Sequence, residues 1–209
     1  WRAKTFSTKE PETLKWIDEF SEHSVFWDIG CNIGLYSIYA GKKGHKVFGF
    51  EPSFFNLETF SRNINLNNLT EGITVFPIAL NDKTKISKLN MTSNLWGAAH
   101  STFDKNYLYS GSPMNIKFAY KTLGIKMDEL VENLDIELPD YIKIDVDGIE
   151  HLIIEGGKNT ISNAKSILVE VSTDFKEQYE KVTSTLKELK FELTDEICLE
   201  KNSFNQIWK

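Results

Sequence analysis

A glycine-rich turn with an acidic residue at its start offers the first candidate for chemistry. The segment DIGCNIG at residues 28–34 follows an apolar, strand-like run and precedes a helical pattern. Gly30 and Gly34 would let a ligand approach the backbone, where a helix start offers unpaired N–H groups. Asp28 favours a ligand ammonium over a pyrophosphate, and the spacing differs from GxGxxG, so a dinucleotide is disfavoured. A tight structural turn explains the glycines alone equally well.

A second acidic residue, Glu51, ends the next strand-like run, KVFGF at residues 46–50. In nucleotide-binding βαβ units, an acidic side chain at this place accepts hydrogen bonds from ribose hydroxyls beside the first loop. One carboxylate for an ammonium and another for a ribose together describe S-adenosylmethionine. A solvated charge at a strand end is the alternative for Glu51 taken by itself.

Three further acids, Asp145, Asp147 and Glu150, lie at and just beyond the end of a third strand-like run. The carboxyl ends of strands are where open α/β sheets bind ligands. Asp145 is predicted to face the sulfonium and the acceptor, while Asp147 and Glu150 fix the turn by accepting backbone N–H bonds. A divalent-cation loop is the alternative, but the upstream oxygen ligands of an EF-hand are missing, so no metal is expected.

Two histidines could remove a proton from an acceptor hydroxyl near neutral pH. His100 lies in the segment 83–122, and His151 directly follows Glu150. A packed or solvated side chain is the alternative for each. The same segment carries aromatic residues that suit either a lid over an acceptor or anchors to the core, namely Trp96, Tyr107, Tyr109 and Phe118.

Short β-rich runs alternate with helical patterns, which predicts an α/β protein built on a parallel sheet. Strands are predicted at residues 25–29, 46–50, 73–80, 140–145 and 166–171, with a closing pair at 191–193 and 205–208. Helices are predicted at residues 34–40, 53–66, 127–134, 149–155 and 174–189. The segment 83–122 breaks this rhythm and is predicted to be a long functional loop.

The composition favours one domain that binds small molecules rather than polymers. A chain of 209 residues suits a single domain with its own core. A net charge of -6 without a Lys/Arg cluster disfavours nucleic acid, and no apolar run is long enough to span a membrane. Cys31 and Cys198 are expected to be free thiols in a reducing, cytoplasmic setting. No pattern indicates an oligomeric state.

Three blocks resemble the FkbM-type family of class I S-adenosylmethionine-dependent methyltransferases, namely DIGCNIG at 28–34, FEP at 50–52 and IKIDVDGIEHLIIEGG at 142–157. The resemblance implies a Rossmann-like, doubly wound, mostly parallel seven-stranded sheet with an antiparallel last strand. It also implies the cofactor contacts, with the methionine part at Asp28, Gly30, Asn32 and Gly34, the ribose at Glu51 beside Pro52, and the adenine at Ala79, Leu80 and Asn81. Cys31 and Asp147 depart from the family's usual Ala and Glu.

These expectations combine into one hypothesis. Residues 1–209 form a single domain that moves a methyl group from S-adenosylmethionine to an oxygen of a small-molecule or sugar acceptor. Asp145 is predicted to contact both cofactor and acceptor, and Asp147 and His151 complete the predicted catalytic set. The alternatives are a non-catalytic S-adenosylmethionine-binding module, which the intact acids disfavour, and a nucleotide-sugar or NAD enzyme, which the missing GxGxxG disfavours.

Overall fold

The computed structural model describes residue 8 and residues 10–209, and its centre is a seven-stranded sheet. The strands of this part of the chain are β1 Val25–Ile29, β2 Lys46–Phe50, β3 Ile73–Phe76, β4 Ala79–Leu80, β5 Lys85–Met91, β6 Ser101–Phe103, β7 Phe118–Ile125, β8 Tyr141–Ile144, β9 Ser166–Ser172, β10 Leu193–Glu200 and β11 Ser203–Trp208. The sheet order is β10-β11-β9-β8-β1-β2-β3. Neighbours from β9 to β3 are parallel, whereas β11 is antiparallel to both of its neighbours. The predicted sheet, with its antiparallel last strand, is confirmed.

Helices pack on both faces of this sheet, because side chains on each strand alternate between two hydrophobic cores. The helices are α1 Pro11–Asp18, α2 Leu35–Lys42, α3 Phe54–Leu66, α4 Met127–Leu134, α5 Glu150–Glu155, α6 Lys158–Ile161 and α7 Lys176–Glu188. On β1, Phe26 joins the core formed with α1, α2 and α3. Its neighbour Trp27 joins the core formed with α4 to α7. This is the doubly wound arrangement that the sequence predicts.

The segment 83–122, predicted to be a loop, instead supplies most of a second sheet. Its order is β4-β7-β5-β6, with β5 antiparallel to both β6 and β7. One face of this sheet joins the core through Leu89, Met91 and Phe103. The loop prediction was wrong because the strand alternation is interrupted, for example by the buried Asn90.

The predicted third strand, residues 73–80, is in fact two strands in different sheets. β3 ends at Phe76 in the main sheet, and β4 begins at Ala79 in the second sheet. Pro77 lies at the break, where it has no N–H to continue the ladder. The chain therefore changes sheets beside the carboxyl ends of the main strands. The closing hairpin β10–β11 is also longer than predicted.

Gly34 makes room for a core phenylalanine, which allows a direct test of the first turn. It is left-handed (φ +78°), and a Cβ atom there would lie 1.9 Å from the Phe60 ring. Gly34→Ala is expected to lower the free energy of unfolding by about 2–5 kcal/mol, from backbone strain plus overpacking. Gly44→Ala is the matched control and should lose about 1–2 kcal/mol from strain alone, since Gly44 has φ +89° and no described atom lies within 4 Å of its Cβ position. Equal losses in urea unfolding would contradict this packing.

Candidate active site

A cavity of about 510 Å³ opens at the carboxyl ends of β1, β2 and β8, where open α/β sheets bind ligands. Its volume lies in the range of small-molecule sites. The predicted site residues that line it are Gly30, Asn32, Glu51, Pro52, Ala79, Leu80, Asp145 and Asp147. Those that do not line it are Asp28, Gly34, Asn81 and His151.

Glu51 follows β2 and holds the first loop in place from the cavity wall. Its Oε2 accepts the N–H of Asn32 at 2.9 Å, and its Oε1 accepts the N–H of Ser53 at 2.8 Å. Burial raises the pKa of the Glu51 carboxyl to about 7, although these hydrogen bonds oppose the shift. Because each carboxylate oxygen has a second lone pair, the ionised group can still accept hydrogen bonds from a ligand.

Asp28 lies behind the cavity wall, so the carboxylate predicted to bind a ligand ammonium does not reach the cavity. Its side chain is buried, its Oδ2 accepts the hydroxyl of Ser37 at 2.6 Å, and burial raises its pKa. Lys143 is also buried, with Nζ 2.6 Å from Oδ2 of Asp145. Burial opposes the charge of Lys143, yet Asp145 and Asp28 raise its pKa above the usual range. Asp145 is therefore the ion-paired carboxylate that faces the cavity.

An apolar wall follows β3, where the sequence predicts the adenine contacts. Ile78, Ala79 and Leu80 line the cavity there. Next to them the Asn81 side chain is 1% exposed, and neither its oxygen nor its nitrogen has a hydrogen-bond partner among the described residues. Buried amides without partners are rare, but Asn81 does not line the cavity, so its amide lies behind this wall.

Gly30 brings the first loop against the chain at Asp145, at the end of β8. It is left-handed (φ +80°), and a Cβ atom there would lie 1.9 Å from the backbone carbonyl oxygen of Asp145. The packing of two loops therefore requires this glycine, independently of any ligand. As a result, the backbone at Gly30 and the carboxylate of Asp145 share one stretch of the cavity wall.

Asp147 joins the turn between β8 and α5 to the second sheet. Its Oδ2 accepts the backbone N–H groups of His100 at 2.7 Å and Ser101 at 3.2 Å. It accepts backbone N–H bonds as predicted, but from the second sheet rather than from its own turn. Its Oδ1 lies 3.6 Å from Nδ1 of His100, whose ring stacks on Tyr109. An imidazole and a carboxylate thus lie together at the cavity.

Glu150 and His151 belong to the turn and the core. Oε1 of Glu150 accepts the N–H groups of Val146 and Gly148, both at 3.1 Å, as the sequence predicts, and burial raises the pKa of this carboxyl to about 7. The His151 ring packs edge-on against Phe175, and burial lowers its pKa to about 4. His151, predicted to be catalytic, is buried and does not line the cavity.

The aromatic residues of the segment 83–122 have different roles. Tyr109 lines the cavity. Tyr107 and Phe118 pack against other aromatic rings, and Trp96 is 66% exposed. The segment also lines the cavity with His100 and with apolar residues, namely Leu89, Phe103 and Leu108, while two of the four aromatics anchor it.

The described residues contain no group of three His, Cys, Asp or Glu side chains arranged to hold a metal ion. In the same part of the chain, no helix has the length and apolar character needed to cross a membrane. Cys31 is buried, Cys198 is exposed, and both are free thiols, as predicted.

The model of the FkbM methyltransferase domain family matches residues 28–193. The chain belongs to this family. The match starts at Asp28 and contains the three motif blocks and the cavity walls from β1 to β9. The resemblance carried by those blocks is confirmed.

Individual relatives of this FkbM-family chain agree with the assignment. It is similar to the hexuronic acid methyltransferase AglP of Haloferax volcanii, with 27% identity over 82% of this chain and 65% of the relative. It is also similar to the methyltransferase sdnD of Sordaria araneosa, with 28% identity over 62% of this chain and 58% of that protein. The chain thus spans less than two thirds of either relative. The precorrin-6y C5,15-methyltransferase of Geobacter metallireducens shares the fold, with a TM-score of 0.56 and 13% identity over 95% of this chain and 85% of that chain.

The cavity of this FkbM-family chain also contains side chains that no motif indicates. Glu170 of β9 and Ser203 of β11 line it, and the Ser203 hydroxyl donates to Oε1 of Glu170 at 2.9 Å. Burial and the neighbouring Asp145 raise the pKa of Glu170 well above its usual range. Glu10 lines the cavity from the chain before α1 and accepts the Tyr36 hydroxyl at 2.9 Å. An acid within an otherwise apolar strand was the available signal for Glu170.

Proposed function

We propose that this chain transfers a methyl group from S-adenosylmethionine to a hydroxyl oxygen of a small molecule. The acceptor class that we favour is a sugar. The observation that carries the proposal is the buried Glu51 carboxylate at a cavity with an apolar wall. A carboxylate for ribose hydroxyls beside an apolar slot for a base is the pattern of a nucleoside site. When bound, S-adenosylmethionine would supply a methyl group whose bond to a positively charged sulfur breaks as the acceptor oxygen bonds to the methyl carbon from the opposite side.

The residues present fit this cofactor. Glu51 would accept hydrogen bonds from the ribose hydroxyls, and the wall from Ile78 to Leu80 would pack against the adenine. Gly30 and Asp145 would hold the ammonium of the methionine part, because Asp145 lines the cavity whereas Asp28 lies behind it. The buried ammonium of Lys143 lies 2.6 Å from Oδ2 of Asp145, and a carboxylate–ammonium hydrogen bond is charge-assisted.

The chemical work of the chain is to align the acceptor and to remove its proton. His100 takes the proton of the acceptor hydroxyl, because its imidazole lines the cavity. Asp147, with Oδ1 3.6 Å from Nδ1 of His100, stabilises the imidazolium that forms. Its bonds to the backbone of His100 and Ser101 hold the imidazole at the acceptor side of the cavity.

The acceptor class is supported by the relative AglP, whose name specifies a hexuronic acid. The aromatic ring of Tyr109 adds a surface on which the apolar face of a sugar ring can pack. Both features favour a sugar hydroxyl over a macromolecular acceptor.

Calorimetry with the demethylated product tests the donor assignment. S-adenosylhomocysteine is expected to bind and NAD is not, because the first loop lacks the dinucleotide pattern. Mass spectrometry of glycosides incubated with protein and S-adenosylmethionine should then detect methyl ethers. Binding of NAD, or no binding of S-adenosylhomocysteine, would refute the proposal.

A further inference from the structure

A loop between β5 and β6 carries His100 from the second sheet to the cavity. It consists of residues 92–100, lines the cavity with Ala99 and His100, and is called the His100 loop below. No described residue of this loop belongs to either hydrophobic core, and its Leu95 and Trp96 are exposed. Because apolar packing contributes little to the loop, polar contacts must determine where it lies.

Two asparagine side chains hold the His100 loop from the donor side of the cavity. Asn32 of the first loop donates from Nδ2 to the carbonyl oxygen of Ala98 at 2.9 Å. Asn56 of α3 donates from Nδ2 to the same oxygen at 3.4 Å, and its Oδ1 accepts the N–H of Gly97 at 3.1 Å. A carbonyl oxygen has two lone pairs, so it can accept both bonds. The backbone just before His100 is therefore held by side chains beside the proposed donor site.

Asn56 also reaches the carboxylate that we propose binds the ribose. Its side chain is 2% exposed and hydrogen-bonds the Glu51 carboxylate, which in turn accepts the backbone N–H of Asn32. Burial raises the pKa of Glu51 to about 7, and the bond from Asn56 opposes this shift because it favours the charged form. One buried amide thus contacts both the proposed ribose carboxylate and the loop that ends at His100.

We infer that Asn56 is a positioning residue that couples the two halves of the site, so that a donor bound at Glu51 stabilises the placement of the His100 loop. The inference rests on the proposed function and adds a regulation of the same site. Ribose hydroxyls at Glu51 would favour the ionised carboxylate that accepts from Asn56, and Asn56 would then hold residues 97–98 in place. Such coupling is reciprocal, so an acceptor that contacts His100 would bind the donor-loaded chain more tightly than the free chain.

Hydrogen exchange of the whole chain, with and without S-adenosylhomocysteine, tests the coupling. The backbone N–H groups of His100 and Ser101 are the reporters, because they donate to Asp147 rather than to Asn56. In the wild type, saturating S-adenosylhomocysteine is expected to slow their exchange by about five-fold or more. Asn56→Leu removes the amide but fills a similar volume, and in this variant the saturating ligand should change the exchange by less than about two-fold.

Asn63→Leu is the matched control on the same helix. The Nδ2 atom of Asn63 donates to the backbone oxygen of Ile33 rather than to the His100 loop, so this variant should keep the wild-type slowing of both reporters. If Asn56→Leu does not fold, Asn56→Asp takes its place. An ionised carboxylate there keeps an acceptor for Gly97 but cannot donate to Ala98, so this variant should also lose the slowing.

A pH profile distinguishes coupling from a merely structural role. Asn56→Leu removes a bond that favours the charged form of Glu51, so it should raise by about 0.5–1 pH unit the pH below which affinity for S-adenosylhomocysteine falls. Asn63→Leu should leave that pH unchanged. The Asp147 carboxylate, which also raises the pKa of Glu51, is present in both variants.

Three results would overturn the inference, namely no slowing of the reporters in the wild type, full slowing in a folded Asn56 variant, or an unshifted pH profile in Asn56→Leu. Failure of the wild type to bind S-adenosylhomocysteine would instead refute the proposed function.

Discussion

Replacing His100 with glutamine is expected to lower kcat by about 100- to 1000-fold and to leave the affinity for S-adenosylhomocysteine within about three-fold. Glutamine keeps a polar side chain at the cavity wall, but it cannot take up the acceptor proton. The proposed donor contacts lie on the other side of the cavity, so donor binding does not depend on the imidazole. Steady-state kinetics at saturating donor and calorimetry measure the two quantities separately.

His151→Gln is the matched control, because His151 is buried against Phe175 and does not line the cavity. It should keep kcat within about two-fold of wild type. Asp147→Asn should lower kcat by about tenfold, since the amide oxygen still accepts the backbone N–H bonds but no longer stabilises an imidazolium. Wild-type kcat in His100→Gln, or a large loss in His151→Gln, would show that another group accepts the proton.

Glu51→Gln is expected to weaken S-adenosylhomocysteine binding by about 100-fold, because an amide replaces the charged acceptor of the ribose hydroxyls. The wild-type affinity should depend on pH, since only the ionised carboxylate can accept from both hydroxyls. Burial raises the pKa of this group to about 7. Affinity should therefore be full above that pH and fall as the pH drops below it, and calorimetry across this range should show no such fall in the variant.

Glu58→Gln provides the control for this pH dependence. Glu58 lies on α3 with its exposed side chain paired to Arg62, outside the cavity lining. Its removal should leave both the affinity and its pH profile unchanged. Undiminished binding in Glu51→Gln would remove the ribose assignment, and a persisting pH dependence in that variant would assign the titration to another group.

The main sheet was predictable because its strands are buried on both faces and therefore read as short apolar runs. The strands VFWDI and YIKI are clear examples. The second sheet could not be predicted in this way, because one of its faces is solvated. In addition, the buried and hydrogen-bonded Asn90 interrupts the strand alternation. Its strands are recognisable only once their antiparallel partners are known.

The prediction for Asp28 did not take account of the direction of its side chain. The motif correctly located a carboxylate near the first loop, but strand alternation places Asp28 on the same face as Phe26. That face packs against α2, where Ser37 donates to the carboxylate. The local pattern identified the residue type, whereas the packing of α2 determined its contact.

Contacts between distant parts of the chain bring together cavity residues whose pairing the sequence did not indicate. Glu170 meets Ser203 only because β11 returns antiparallel beside β9. His100 meets Asp147 through a loop of the second sheet. Neither pairing has a local sequence signal, so His100 and His151 could not be distinguished before the fold was known.

A crystal structure of the chain with S-adenosylhomocysteine tests the central claim most directly. The ribose hydroxyls are expected within hydrogen-bond distance of the Glu51 carboxylate. The adenine is expected to pack against Ile78 and Leu80, and the sulfur is expected to face His100. A ligand bound outside this cavity, or inside it with the ribose away from Glu51, would contradict the account.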